Sequence, residues 1–311
     1  MLSPIEVIDT PMTESSAEQA EREIRAPRLS KIVARHFFSN RLAVLGLILS
    51  VTLITLAIVG PFVAPYDPIE QHDSGLSEVG APFPPNAQFL LGTDLLGRDV
   101  ESRLIYASRI SLVIGILANG LAILIGVVVG ALAGYAGRVV ETVLMRFTDV
   151  MMAFPLVLLL IALAVILQPS FTTIIVVIAI GGWTGTARLV RGQVLSLKER
   201  DFILAAHVVG ASRWDILRRH ILPHLMPQII TWYTLGIAPT ILTESALSYL
   251  GVGVQPPQPS WGNMISEGQV VMGYAPWLIL VPSAALILTV VAFNLVGDGL
   301  RDALFASGRR V

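Results

Sequence analysis

Six long apolar stretches constrain this chain more than any other feature of its sequence. Each has about the 20 residues that an α-helix needs to cross the hydrocarbon core of a bilayer. Because lipid offers no partners to backbone N–H and C=O groups, each stretch must pair its own backbone, as a helix does. The sequence therefore predicts an all-α membrane protein with six transmembrane helices, at 42–63, 110–133, 150–167, 171–190, 229–250 and 277–296.

Composition and the short polar connections exclude several classes of protein. The chain of 311 residues is 54% hydrophobic and only 14% charged, unlike a soluble domain. It has no cysteine, which excludes disulfides and thiolate metal sites. His220 and His224 are four residues apart, but Pro223 lies between them and no third metal ligand is evident. The sequence also shows no nucleophile–base pair, so we predict that the chain is not an enzyme.

The distribution of basic residues predicts the orientation of the helices. Of the 21 lysines and arginines, only Arg98, Arg103 and Arg109 fall between the first and second helices, and the others share the opposite side. Because basic residues favour the cytoplasmic side of a membrane, we predict that both termini and segment 191–228 are cytoplasmic. Segment 64–109 is then extracytoplasmic.

The first 40 residues are predicted to form a cytoplasmic tail. Residues 1–30 are polar, with charges of both signs and no apolar core of a signal peptide, which indicates a disordered segment. An amphipathic helix is expected just before the first transmembrane helix. It would either anchor the chain in the membrane interface or act as a scaffold for neighbouring helices. Its apolar positions are Leu29, Ile32, Val33 and Phe37.

A polar interruption at 199–223 separates the fourth and fifth apolar stretches. Two adjacent alanines would let a short helix approach a partner closely, and a glycine that tolerates positive φ would then allow a turn into a second helix at 212–221. A proline is expected to end that second helix. The segment is either an ordinary basic loop or a docking element for a soluble motor protein. The residues concerned are Ala205, Ala206, Gly210, Leu222 and Pro223.

A second motif follows the first transmembrane helix, at 91–106. We expect turns at two glycines, a turn capped by Thr93 or Asp94, and a helix at 100–107 that begins at Asp99. The glycine spacing resembles that of a phosphate-binding loop, but an arginine follows the second glycine and no Lys-Ser/Thr pair occurs. The chain is therefore not expected to bind ATP. The motif residues are Gly92, Asp94, Gly97, Arg98 and Asp99.

One acidic residue, Glu244, lies within the fifth apolar stretch, with Ser245 and Ser248 near it. A charge at the centre of a membrane costs about 2.5–3.5 kcal/mol on insertion scales, so it usually has a reason. We predict that this group lines an aqueous pathway or a subunit interface, or alternatively that a network of hydroxyl groups neutralises it. Trp261, in the next polar segment, is expected to anchor at the membrane interface.

The 199–223 segment resembles the coupling loop of the permeases of ATP-driven importers. That loop reads Glu-Ala-Ala, three residues, Gly, nine residues, then Ile-x-Leu-Pro. Here Leu204 and His220 replace the Glu and the Ile, and the two alanines, the glycine and the Leu-Pro pair are in register. By this resemblance, Ala205, Ala206, Gly210, Leu222 and Pro223 contact the ATPase.

Three further strings, at 92–99, 250–264 and 293–304, together with that loop, resemble the dipeptide, oligopeptide and nickel permease family, specifically its C-type subunit. The likeness runs from about residue 35 to residue 304. It implies a type I ABC importer permease core (MetI-like) in the bacterial inner membrane. It also implies a second homologous permease, two ATPase subunits that bind ATP and Mg, and an extracytoplasmic substrate-binding protein.

The resemblance sets the expected organisation and cargo. Segment 1–40 is the tail, 41–109 the first transmembrane helix with an extracytoplasmic segment, 110–300 the transporter core, and 301–311 a cytoplasmic C-terminal tail. The expected cargo is di- or oligopeptides, with a nickel chelate or glutathione as alternatives. A secondary transporter working alone remains a second class, although no internal repeat of the kind that such transporters carry is apparent.

Overall fold

The computed structural model describes residues 29–308, so the predicted disorder of the N-terminal tail lies almost wholly outside the described residues. Helices dominate the described chain. Their bounds are α1 Leu29–Ser39, α2 Arg41–Val63, α3 Val100–Tyr135, α4 Arg138–Ala153, α5 Leu156–Leu167, α6 Phe171–Leu197, α7 Asp201–Val208, α8 Arg213–Ile216, α9 Leu222–Tyr249, α10 Trp261–Gln269 and α11 Trp277–Gly308.

Five helical segments of the described chain are long and apolar enough to cross a membrane. They are α2, α3, α6, the continuous path from α8 to α9, and α11. The third predicted span, 150–167, is not one helix: α4 and α5 meet at a bend of 90° and would make a sixth crossing only as a pair. Phe154 takes an extended conformation there because the following residue, Pro155, disfavours helical backbone before it.

Helix α3 joins two elements that the sequence suggested were separate. The helix expected at 100–107 and the span at 110–133 form one helix of 36 residues. It begins as predicted at Asp99, whose carboxylate accepts a hydrogen bond from the backbone N–H of Ser102 at 2.8 Å. At 1.5 Å per residue the helix is about 54 Å long, so it extends well beyond the hydrocarbon core.

Pro223 does not end a helix, contrary to the prediction. A wide π-type turn at Leu217–Ile221 connects α8 to α9, and the N–H of Leu222 bonds to the carbonyl of Leu217, five residues earlier. Proline normally interrupts a helix because it lacks an N–H and clashes with the carbonyl four residues back. The wider turn changes that spacing, so the helical path continues from Arg213 to Tyr249.

Small residues allow the closest helix pair, α3 and α6, to approach each other. A Cβ atom placed on Gly126 would lie 2.6 Å from the Cβ of Thr186, and one on Gly134 would lie 2.7 Å from the Cβ of Val194. Both distances are too short for real carbon contacts. Gly130 lies between them, with its Cβ position 2.8 Å from the Cβ of Val190. Glycines spaced by four along α3 therefore form the contact ridge, as in other membrane helix pairs.

The first and last helices of the described residues pack against each other. Phe37 of α1 is buried with Ala303 of α11, and Val33 packs against the same cluster. The amphipathic helix thus contacts a neighbouring helix, which favours the scaffold alternative over simple anchoring. The predicted C-terminal tail continues α11 as far as Gly308.

Candidate functional site

The 199–223 segment folds into a helical hairpin, made by α7, a turn and α8, that is fixed to the bundle by its inner face. Ile203, Ile216 and Ile221 are fully buried against Val190 and Val194 of α6. The outer face is apolar and exposed. Its large side chains are Phe202, Leu204, Val208, Val209 and Trp214.

The predicted coupling residues divide between these two faces. Ala205, Gly210 and Pro223 are exposed, whereas Ala206 and Leu222 pack into the cluster that fixes the hairpin. Contact of the two alanines with an ATPase stays a prediction; within the chain, Ala206 packs against the hairpin's own core. Successive residues of a helix point in different directions, so Ala206 can face the bundle while Ala205 faces outward.

Gly210 makes the turn between the two short helices. Its φ is 87°, a left-handed value that side chains with a Cβ seldom adopt. The N–H of Ala211 then bonds to the carbonyl of Ala206 at 3.1 Å, the six-to-one bond of a Schellman motif. Ser212 caps α8 by accepting a hydrogen bond from the N–H of Asp215. The turn therefore depends on its glycine.

A groove of about 430 Å³ opens between α3, α5, α6 and α9. Within the described chain, its lining contains no charged residue. Glycines widen it, and its polar side-chain groups are one amide, threonine hydroxyls and the indole of Trp232. The amide of Asn119 also donates to the carbonyl of Tyr233 at 2.7 Å, which links α3 to α9. Lining residues include Asn119, Gly182, Gly185, Thr186, Gly236 and Thr240.

Glu244 lies fully buried at the junction of α3 and α9, among serine hydroxyls. Its carboxylate accepts hydrogen bonds from Ser248 at 2.7 Å and from Ser111 of α3 at 2.9 Å, with Ser245 at 3.4 Å. None of the side chains of Glu244, Ser245 and Ser248 lines the central groove. Of the two alternatives, the geometry favours the hydroxyl network over a position on the pathway.

Trp261 is buried, not placed at a membrane interface. Its side chain has no exposed area, and it packs in a core shared with Ala238 and Ile241 of α9. Its backbone N–H points at the Ser111 hydroxyl, 3.5 Å away. The expectation of an interfacial anchor was wrong because the segment folds back into the bundle as α10.

The 92–99 motif forms a turn that presents charged side chains to α10. Asp94 accepts hydrogen bonds from the backbone N–H groups of Leu96 and Arg98, and its carboxylate pairs with the guanidinium of Arg98 at 2.6 Å. Arg103 of α3 contacts the same carboxylate. Glu267 of α10 pairs with Arg98 at 3.1 Å and with Arg103 at 2.9 Å.

Burial dominates the electrostatics of this charge cluster. It raises the pKa of Asp94, although the Arg103 guanidinium opposes the rise. Burial also raises the pKa of Glu267, which Arg103 lowers and the Asp94 charge raises further. Both carboxylates therefore hold protons at a higher pH than free side chains do. The described residues contain no group of three His, Asp or Glu side chains that could hold a metal ion.

Two known protein families match this chain. The model of "Binding-protein-dependent transport system inner membrane component" matches residues 126–309, more than half of the chain. The model of "N-terminal TM domain of oligopeptide transport permease C" matches residues 29–96. The chain belongs to the binding-protein-dependent transport permease family. It is thus a membrane permease of an ATP-binding-cassette importer, and not the catalytic subunit, because the ATPase is a separate chain that works with such permeases and a binding protein.

Relatives of this permease are similar over most of their length. The oligopeptide transport system permease protein OppC of Bacillus subtilis is 40% identical over 86% of this chain and 86% of its own. The dipeptide transport system permease protein DppC of the same organism is 40% identical over 89% and 85%. The glutathione transport system permease protein GsiD of Pectobacterium atrosepticum is 40% identical over 87% and 88%.

A solved structure of the MetNI methionine ABC transporter shares the permease fold. It aligns with a TM-score of 0.53 at 19% identity and covers 65% of this chain and 96% of its own. The predicted fold class, a six-helix, MetI-like permease, is confirmed, with its third span broken.

Sequence reasoning missed the groove and the partner of the 92–99 motif. The closely spaced glycines of α6 were the available signal for the groove. No signal in the sequence indicated that Glu267 would pair with the 92–99 motif.

Proposed function

We propose that this permease is one of two homologous membrane subunits of a peptide importer. It would assemble with two ATPase subunits, which bind ATP and Mg, and with one extracytoplasmic substrate-binding protein. The observation that carries the proposal is the exposed apolar face of the 199–223 hairpin. A continuous helical path runs from this hairpin to the groove. Apolar patches of this kind mark protein contact sites.

The hairpin is proposed to receive the motion of the ATPases. Helix α9 continues from it and contributes Trp232, Gly236 and Thr240 to the groove. Since a helix is stiff along its axis, a displacement of the hairpin is transmitted to these residues. Closing of the two ATPases would then switch the groove between its two accessible states.

The groove is proposed to form half of the translocation pathway. A wall without charged residues does not select by charge, so it suits cargo whose side chains vary, as peptides do. Two of the relatives are named for oligopeptides and dipeptides, which supports peptide cargo over a nickel chelate. Glutathione remains an alternative because a third relative is named for it. A transporter that works alone would have no use for the hairpin's exposed face.

Substituting Gly185 by leucine is expected to block the groove without unfolding the protein. Gly185 lines the groove and has no atom within 4 Å of a Cβ position, so the new side chain would enter open space. Leucine is also a better helix former than glycine. We expect uptake of di- and oligopeptides by proteoliposomes with the complete importer to fall roughly tenfold, equivalent to about 1.4 kcal/mol.

A matched control lies two turns further along the same helix. Gly192 is also exposed and has no atom within 4 Å of a Cβ position, but it does not line the groove. Gly192→Leu is expected to leave uptake unchanged. Equal losses in the two variants, or no loss in Gly185→Leu, would contradict the proposed pathway. If the importer took up glutathione but not di- or oligopeptides, glutathione would be assigned as its cargo.

The orientation is proposed from the distribution of basic residues, with both termini cytoplasmic. Ser74 and Ser212 are exposed, and the chain has no cysteine. We expect a cysteine at Ser74 to react with a membrane-impermeant maleimide in spheroplasts, and one at Ser212 to react only after the membrane is opened. The reverse pattern would place the hairpin outside and exclude its contact with cytoplasmic ATPases.

A further inference from the structure

Helix α10 is attached at both ends to the long helix α3 by polar contacts. At its start, the N–H of Trp261 points at Ser111 of α3, which donates to Glu244 of α9. Near its end, Glu267 pairs with Arg103 of α3 and with Arg98 in the turn that precedes α3. Apart from these contacts α10 packs mainly on α9 and α11 and touches α3 at few places. The polar contacts therefore link both ends of α10 to α3, in addition to the apolar core that the two helices share.

The charges at the end of α10 alternate in sign and are largely shielded from water. The side chain of Arg103 is 2% exposed, that of Arg98 6% and that of Asp94 8%, with Glu267 at 33%. Each guanidinium contacts both carboxylates. We call Asp94, Arg98, Arg103 and Glu267 the charge clamp.

The charge clamp is suited to fixing geometry. Desolvating four charges offsets much of their attraction, and well-packed apolar residues could replace buried ion pairs without loss of stability. Apolar contacts, however, would allow α10 to slide, whereas paired guanidinium and carboxylate groups hold one arrangement. Without the charge of Glu267, Arg98 and Arg103 would share one carboxylate, and α10 would lose its charged link to α3.

We propose that the charge clamp makes α10, the 92–99 turn and the adjoining ends of α3 and α9 move as one body, and that Glu267 is a positioning residue for transport. The continuous helix from α8 to α9 brings motion from the hairpin to this end of the bundle. Ser111 and Glu244 connect α9 to the start of α10, and the clamp fixes the other end. Segment 250–269 then moves together with α9.

Spin labels can measure whether α10 stays fixed. Leu96 lies in the clamp turn and Val270 at the end of α10, and both are exposed, so cysteines at these positions accept labels in this cysteine-free chain. The experiment uses the assembled complex with cysteine-free partner chains, without nucleotide and after trapping with ATP and vanadate. We expect one narrow distance distribution that is the same in both states.

Glu267→Gln removes the charge while keeping the size of the side chain. It is expected to broaden the distribution or add a second distance, and Glu267→Asp, which keeps the charge, is expected to change it less. The matched control is Glu78→Gln, since Glu78 is exposed and forms no ion pair in the described chain. An unchanged distribution in Glu267→Gln, including one with a lower yield of complex, would overturn the proposal.

A second measurement tests the role in transport, and only this measurement rests on the proposed importer function. We expect Glu267→Gln to lower peptide uptake per ATP hydrolysed roughly fivefold or more, within the usual range of coupling between distant sites. ATP hydrolysis itself should continue. A broadened distance distribution with a normal ratio of peptide uptake to ATP hydrolysis would mean that the clamp fixes the position of α10 without serving transport. Equal losses of uptake in Gly185→Leu and Gly192→Leu would instead point to failure of the pathway assignment.

Discussion

Gly210→Asp is expected to release the ATPase subunits from the assembled importer. The substitution places a Cβ on a residue with φ of 87°, which strains the turn by about 1 kcal/mol. It also adds a carboxylate to the turn beside the exposed apolar face, where a docked ATPase would bury it without a partner. That burial costs several kcal/mol, and about 1.4 kcal/mol is already tenfold in affinity.

The fold of the permease should survive this substitution. No atom lies within 4 Å of a Cβ position at Gly210, and no membrane-spanning helix is altered. We therefore expect normal amounts of permease in the membrane, with little ATPase retained on purification and with ATP hydrolysis no longer stimulated by the binding protein. Bound ATPase is measured by quantitative gel or native mass spectrometry.

Gly251→Asp provides the matched control at the opposite end of the bundle. Gly251 ends α9 as Gly210 ends α7: its φ is 79°, no atom lies within 4 Å of a Cβ position, and a six-to-one bond runs from Val252 to Leu247. The backbone strain is thus the same, but no ATPase contact is proposed there. If both variants retained the ATPases equally well, the hairpin would not be the docking element.

Glu244→Ala is expected to destabilise the permease more than any other single change to its polar groups. The carboxylate connects Ser111 of α3 to Ser248 of α9, and Ser248 in turn accepts the N–H of Val254 at 3.0 Å. Alanine would leave a cavity and unpaired hydroxyl groups in a site without exposed area. We expect a loss of about 2–4 kcal/mol, seen as a lower unfolding temperature and a lower yield of complex.

Glu244→Gln separates the two interpretations of this residue. Glutamine fills the same space, and the serine hydroxyls can rotate to donate or accept, so stability should fall much less than with alanine. Glu70→Ala, at an exposed position, is expected to have no effect on the unfolding temperature. If Glu244→Gln abolished uptake in a complex of normal stability, the residue would belong to the pathway and the hydroxyl-network interpretation would be contradicted.

The features predicted correctly from the sequence follow from local rules. Apolar length predicts helices because lipid forces each segment to satisfy its own backbone, and the capping role of Asp99 depends only on the residues just after it. The positive φ of Gly210 was predicted from a turn between two short helices. Each of these features is decided within a few residues of chain.

The errors arose where a local feature, here a proline, is compatible with more than one backbone structure. Proline was expected to end a helix at Pro223, whereas the predicted span 150–167 ran through Pro155 without a break. At Pro155 it produced a 90° bend, whereas at Pro223 a π-type turn absorbed it and the helix continued. The surrounding packing decides between these outcomes, since Leu217 and Ile221 of the π-type turn are buried against the bundle.

By itself, the sequence determined the class of this protein: a helical membrane permease with a polar helical segment between its fourth and fifth apolar stretches. Only the tertiary structure decided which side chains meet. Glu267 pairs with Arg98, which is 169 positions away in the sequence, and Ser111 bonds to Glu244, which is 133 positions away. It also placed Ala205 outward and Ala206 inward. Such pairings depend on how separate helices pack, and a pattern read along one segment carries no information about the segment that it will touch.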